Sequence, residues 1–157
     1  MLSPPKLNHK MNLPHYNYLI SYDFTDYRFY SEGPKGKITK VVRYTKIEEN
    51  PDLYNLAFGD EQQDFWEIND SIITNNNDRD LVLSTVANTV IDFTNYYGEC
   101  NIVAKGSTAS RTRLYQIGIS GLLEEISIYF YVYGLKDDIW HDFQKNVNYE
   151  AFLIKRK

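Results

Sequence analysis

The hydrophobic pattern changes character along this chain, and each change marks an element. Strand-forming Tyr, Phe, Ile, Val and Thr first gather in short runs, Tyr16–Ile20, Tyr27–Ser31, Lys37–Ile47 and Leu53–Phe58, separated by turn-forming residues. Glu32-Gly-Pro-Lys-Gly36 reads as the turn of a hairpin, Glu48-Glu-Asn-Pro-Asp52 breaks the next pair, and Gly59 with Asp60 closes the third strand of a meander. Trp66–Ile73 reads as the strand that feeds the first helix. There Val82, Val86, Val90, Phe93 and Tyr97 recur at spacings of three and four, while Asn88, Asp92 and Asn95 line another face. Asn77 or Asp78 suits its N-cap, and Gly98 suits the turn just past its end.

Beyond that helix, Asn101–Ala104 reads as a short strand and Lys105–Thr108 as a turn into a second helix reaching Gly118 or Glu125, with a break at Gly121. Ile126–Tyr133 alternates as a strand and ends at Gly134. Two more strand segments follow, Ile139–Phe143 and Tyr149–Ile154, before the basic end Lys155-Arg-Lys157. The predicted fold is α+β, a curved, mostly antiparallel sheet with two main helices. Residues 1–14, with Pro4, Pro5 and Pro14, read as a mobile tail, and 15–157 as a single α+β domain; Met11 is an alternative start to Met1.

Composition narrows the function classes. The chain has 157 residues, 43% hydrophobic and 24% charged, which fits a globular domain with a full core. Its 15% aromatic content, mostly 14 Tyr, favours a sheet-rich protein with aromatic strand faces. Cys100 is the single cysteine, so an internal disulfide framework and clustered Cys metal sites are excluded; opening an apolar strand, it is expected to be buried and inert. No signal-peptide run and no membrane-spanning stretch is present, so a cytoplasmic location is expected. The net charge of -4 argues against generic nucleic-acid binding. Asp60, Glu61, Asp64, Glu67 and Asp70 match no calcium-loop spacing and read as a solvated connection, so no metal site is assigned. His9, His15 and His141 form no recognisable catalytic arrangement.

One stretch stands apart, Val103-Ala-Lys-Gly-Ser-Thr-Ala-Ser-Arg-Thr-Arg-Leu-Tyr115, with three cations and no acid. A strand end, a tight turn and a helix start present unpaired backbone N–H groups and a partial positive charge, which suits phosphate or carboxylate. Lys105, Gly106, Ser107, Thr108, Arg111 and Arg113 are the candidate ligand-binding residues, and Tyr115 is the candidate catalytic residue. Thr108, Arg111 and Tyr115 share a helix face, with Arg113 roughly opposite. The same residues also fit a capped helix with exposed arginines.

The order of elements over residues 27–154 resembles the Gcn5-related N-acetyltransferase fold, and Ser110-Arg-Thr-Arg-Leu-Tyr-Gln-Ile-Gly-Ile119 is similar to that family's acyl-coenzyme A clamp helix. This likeness implies Tyr115 as general acid, with Glu67 or Asp70 as the base. From Tyr16 onward the chain also resembles a family of small uncharacterised bacterial proteins. The features are Ser31-Glu-Gly-Pro-Lys-Gly-Lys-Ile38, Tyr54-Asn-Leu-Ala-Phe-Gly59, the Lys105–Tyr115 stretch and Asn148-Tyr-Glu-Ala-Phe152; that resemblance implies no activity and no cofactor. Three function classes follow: a module binding an anionic small molecule, nucleotide or phosphate group; a degenerate acyl-coenzyme A transferase; and a toxin–antitoxin component acting on RNA, with Lys105, Arg111 and Tyr115 around the phosphate, or on a small protein partner.

Overall fold

The structure, a computed structural model, describes residues 13–61, 68–69 and 75–157. Most of the predicted tail, most of the strand predicted over Trp66–Ile73, and the candidate bases Glu67 and Asp70 lie outside these residues. Among the described residues, β1 (Leu19–Ile20), β2 (Asp26–Gly33), β3 (Gly36–Glu48), β4 (Leu53–Glu61) and β5 (Ile68–Asn69) precede α1 (Arg79–Tyr97). They are followed by β6 (Asn101–Ala104), α2 (Ala109–Gly121), α3 (Leu123–Tyr129), β7 (Phe130–Lys136), β8 (Ile139–Asp142) and β9 (Ala151–Arg156). The strands form one open sheet in the order β1-β2-β3-β4-β6-β9-β7-β8, with β5 on β4. The fold is therefore α+β with a mostly antiparallel sheet; β4 and β6 are its one parallel pair among the described strands.

Alternation decides which side chains face the helices. Tyr27 and Phe29 on β2, Val42 and Tyr44 on β3, and Tyr54, Leu56 and Phe58 on β4 all point into a core shared with α1, α2 and α3. Phe93 of α1 stacks on Tyr44 at 4.1 Å between ring centroids and meets Tyr54 edge-on. The aromatic strand faces are thus packing surface along these strands.

Four expectations are corrected. The strand predicted from Leu53 does not end at Gly59 and Asp60, because both are paired with β3, Gly59 opposite Val41 and Asp60 opposite Lys40. Asn88 does not line a solvent face: it is fully buried, its amide donating to the Ser84 carbonyl one turn back. The strand predicted over Ile126–Tyr133 begins only at Phe130, and a third helix occupies Leu123–Tyr129. Burial gives the reason: Ile126 is buried and Ile128 is 60% exposed, a contrast that a strand, with both on one face, would not produce. That strand also runs past Gly134 to Lys136, because the bare Cα of Gly134 lies against the Tyr149 ring, where a Cβ would stand 2.3 Å from ring atoms. Cys100 is buried as expected, and burial, then nearby Asp52, push its thiol up to about 11. No helix among the described residues is long and apolar enough to cross a membrane.

Candidate functional site

Two strands part where two helices begin. On one edge of β4, β6 pairs with Leu53 to Leu56, and β5 pairs with Asp60 and Glu61. Between these stretches the Phe58 carbonyl accepts a hydrogen bond from the Arg111 guanidinium, which also lies 5.8 Å from the Phe58 ring centroid. Arg111, in the first turn of α2, is thereby turned inward and is 95% buried. Next to it on the sheet, Lys40 of β3 occupies a core position in phase with Val42 and Tyr44 and is fully buried. Its ammonium donates to the carboxylate of Asp60, its direct cross-strand neighbour.

The start of α1 closes the other side. Asn76 fixes the approach to this helix: its amide nitrogen donates to the Gly36 carbonyl at 2.8 Å, and its amide oxygen accepts from the Lys35 N–H at 2.8 Å. Asp78 holds the N-cap position without a side-chain capping bond. Its carboxylate instead accepts from the Tyr16 hydroxyl at 2.7 Å and from the Ser31 hydroxyl at 2.5 Å. Burial first, then that bond to Asp78, raise the pKa of Tyr16. The first turn of α1 thus has no cap from Asp78, and its backbone N–H groups retain their partial positive charge.

Both helix starts line one cavity of about 330 Å³. Its walls include Lys40 from the sheet, Asn76, Asp78 and Arg79 from the approach to α1, and Thr108, Ser110 and Arg111 from the start of α2. Lys40, Arg79 and Arg111 line it with one carboxylate, Asp78; Lys40 is paired with Asp60, and the Arg79 guanidinium lies 3.8 Å from the Asp80 carboxylate. That donor set suits an anion. Among the described residues no group of three His, Cys, Asp or Glu side chains could hold a metal ion.

The predicted site residues are divided among three places. Thr108 and Arg111 line the polar cavity, and Thr108 also caps α2, its hydroxyl accepting from the Arg111 N–H at 3.2 Å. Lys105, Gly106, Ser107 and Arg113 line a separate open groove with Gln116 and residues 148–150, and Thr108 borders this groove as well. Tyr115 does not share the cavity with Arg111; it is buried in the core, against an apolar cavity one turn further along α2. Gly106 serves the helix itself. A Cβ there would lie 2.3 Å from the Thr112 nitrogen and 2.4 Å from the Arg111 Cβ, so the turn packs directly on the first turn of α2.

Sequence reading did not find Lys40, Asp60 as its partner, or Asn76. The signal was present: Lys40 and Asp60 each fall on the apolar phase of a strand, the arrangement that marks a charge held inside the fold. No curated protein and no solved structure matches the chain. A family model matches residues 12–157, and the chain belongs to that family, a family of unknown function (DUF6934).

Proposed function

We propose that this protein binds a small phosphate-bearing anion in the cavity between the starts of α1 and α2. One observation carries the reading: two helix N-termini and two buried cations, Lys40 and Arg111, meet at a single cavity of about 330 Å³. Each helix start favours negative charge, and the buried guanidinium is set in place by the Phe58 carbonyl before any ligand arrives. The site is the inward half of the stretch Lys105–Tyr115, with Lys40, Asn76 and Arg79 added from elsewhere. The test is a thermal-shift titration of the full chain with inorganic phosphate, nucleoside phosphates and coenzyme A against chloride at matched ionic strength. Stabilisation by phosphate but not chloride supports the reading. No shift with any phosphate compound refutes it.

A second reading keeps the acetyltransferase likeness and makes coenzyme A the ligand. It is supported by the parallel β4–β6 pair, which parts after Leu56 and Ala104, two residues before the Phe58 carbonyl that Arg111 takes. Stabilisation by coenzyme A well beyond that given by adenosine diphosphate would favour it.

A further inference from the structure

The polar cavity is not the end of the seam between α1 and α2. One turn deeper, between the two helices and the sheet, lies an apolar cavity of about 60 Å³. Leu56 and Ala104 form its floor, Val86 and Ala87 of α1 one wall, and Tyr115 and Ile119 of α2 another. No charged side chain lines it, whereas Lys40, Asp78, Arg79 and Arg111 line the polar one. Leu83 borders both cavities and is the wall between them. The seam is therefore graded, cationic at the helix starts and apolar beyond Leu83.

We propose that the bound anion is a short-chain phosphomonoester, its phosphate in the polar cavity and an apolar group of two or three carbons past Leu83. This rests on the phosphate-binding reading and names its ligand class. The size follows from volume: an apolar cavity of about 150 Å³ takes benzene, with six carbons, so about 60 Å³ takes two or three. The gradient selects against two alternatives. Inorganic phosphate leaves the apolar cavity unfilled, and a chain longer than about three carbons exceeds its volume. For the apolar group to pass, the buried Leu83 side chain must turn aside.

The test is a calorimetric titration of the full chain with inorganic phosphate and with methyl, ethyl, propyl, butyl and hexyl phosphate at equal ionic strength. Affinity is expected to rise about fourfold per carbon through ethyl and propyl, the effect of burying one methylene, and to level from butyl onward. Ala87→Leu fills the apolar cavity from α1 and should abolish the chain-length gain while leaving the affinity for inorganic phosphate within about twofold, because Ala87 does not line the polar cavity. Ala104→Val fills it from the sheet and gives the same result should the first variant fold poorly. Phosphate binding with no gain along the series, or a gain that survives in both filled variants, overturns this inference and leaves the phosphate site standing. Failure of every compound to bind overturns both.

Discussion

Ser110→Asp separates binding from folding better than removal of any cation does. With Thr108 as N-cap, Ser110 is the second residue of α2, and it is exposed on the wall of the polar cavity. A carboxylate in the first turn of a helix interacts favourably with the unpaired N–H groups, by about 0.3 to 1 kcal/mol. The variant should thus fold at least as well as the wild type. Its effect on an anion is opposite. A cavity of about 330 Å³ has the volume of a sphere roughly 4 Å in radius, so a bound anion stands about 4 to 6 Å from a new wall charge. At an effective dielectric of about 20, two like unit charges at that distance repel by roughly 3 kcal/mol, on the order of a hundredfold in affinity. Ser110→Asn supplies the control of similar size without the charge. The assay is paired: thermal unfolding without ligand, and titration with inorganic phosphate. An unchanged or raised Tm with phosphate binding lost in the Asp variant and kept in the Asn variant is expected. Wild-type affinity in the Asp variant would show that the anion is not bound in this cavity, and a large fall in its Tm would show that the start of α2 has been misjudged.

Gly106→Ala should lower the Tm by several degrees, since the added Cβ meets backbone that cannot swing aside and overpacking of this kind costs about 1 to 3 kcal/mol; a Tm within one degree of wild type would refute the close packing. Burial, before any neighbouring charge, raises the hydroxyl pKa values of Tyr18, Tyr27 and Tyr44. Raised folded values mean that this stability is fully present below about pH 10 and is lost as pH rises beyond it, so the tyrosinate absorbance of these three side chains, unlike that of exposed ones such as Tyr22, should appear only together with loss of circular dichroism; titration of all tyrosines near pH 10 in a protein that stays folded would contradict this. Cys100, held up to about 11 by burial and then Asp52, should resist a thiol-exchange reagent at pH 8 until denaturant is added. Rapid labelling of the folded chain would show that the thiol is accessible.

Much of the fold was legible because local pattern and tertiary environment agree over most of the chain. The helix at Val82–Tyr97 and the hairpin turn at Glu32–Gly36 each follow from spacing and turn chemistry, and the structure places α1 over Arg79–Tyr97 and pairs Gly33 with Gly36. The reading failed where one pattern serves two periods. Ile-Ser-Ile-Tyr-Phe-Tyr from Ile126 alternates like a strand, yet Leu122, Ile126 and Phe130 also fall four apart, and packing beneath α2 selects the helix for its first half. The site was half legible. The cations and the Gly-Ser-Thr turn singled out the start of α2, but nothing local says that Arg111 turns inward, because the Phe58 carbonyl that draws it stands 53 residues earlier in the chain.

That long-range contact also explains why the fold and the candidate site are not separable at Arg111. Where β6 leaves β4 after Leu56, the guanidinium takes the Phe58 carbonyl within the sheet while its side chain forms a wall of the cavity. The group proposed to hold the anion thus also serves the sheet. Arg111→Ala would leave a buried carbonyl without this donor, a loss of about 1 to 3 kcal/mol, and would remove a cation from the cavity in the same step. Any loss of binding in that variant would be ambiguous. Charge added at the rim, on a residue such as Ser110 that the sheet does not use, tests the cavity alone.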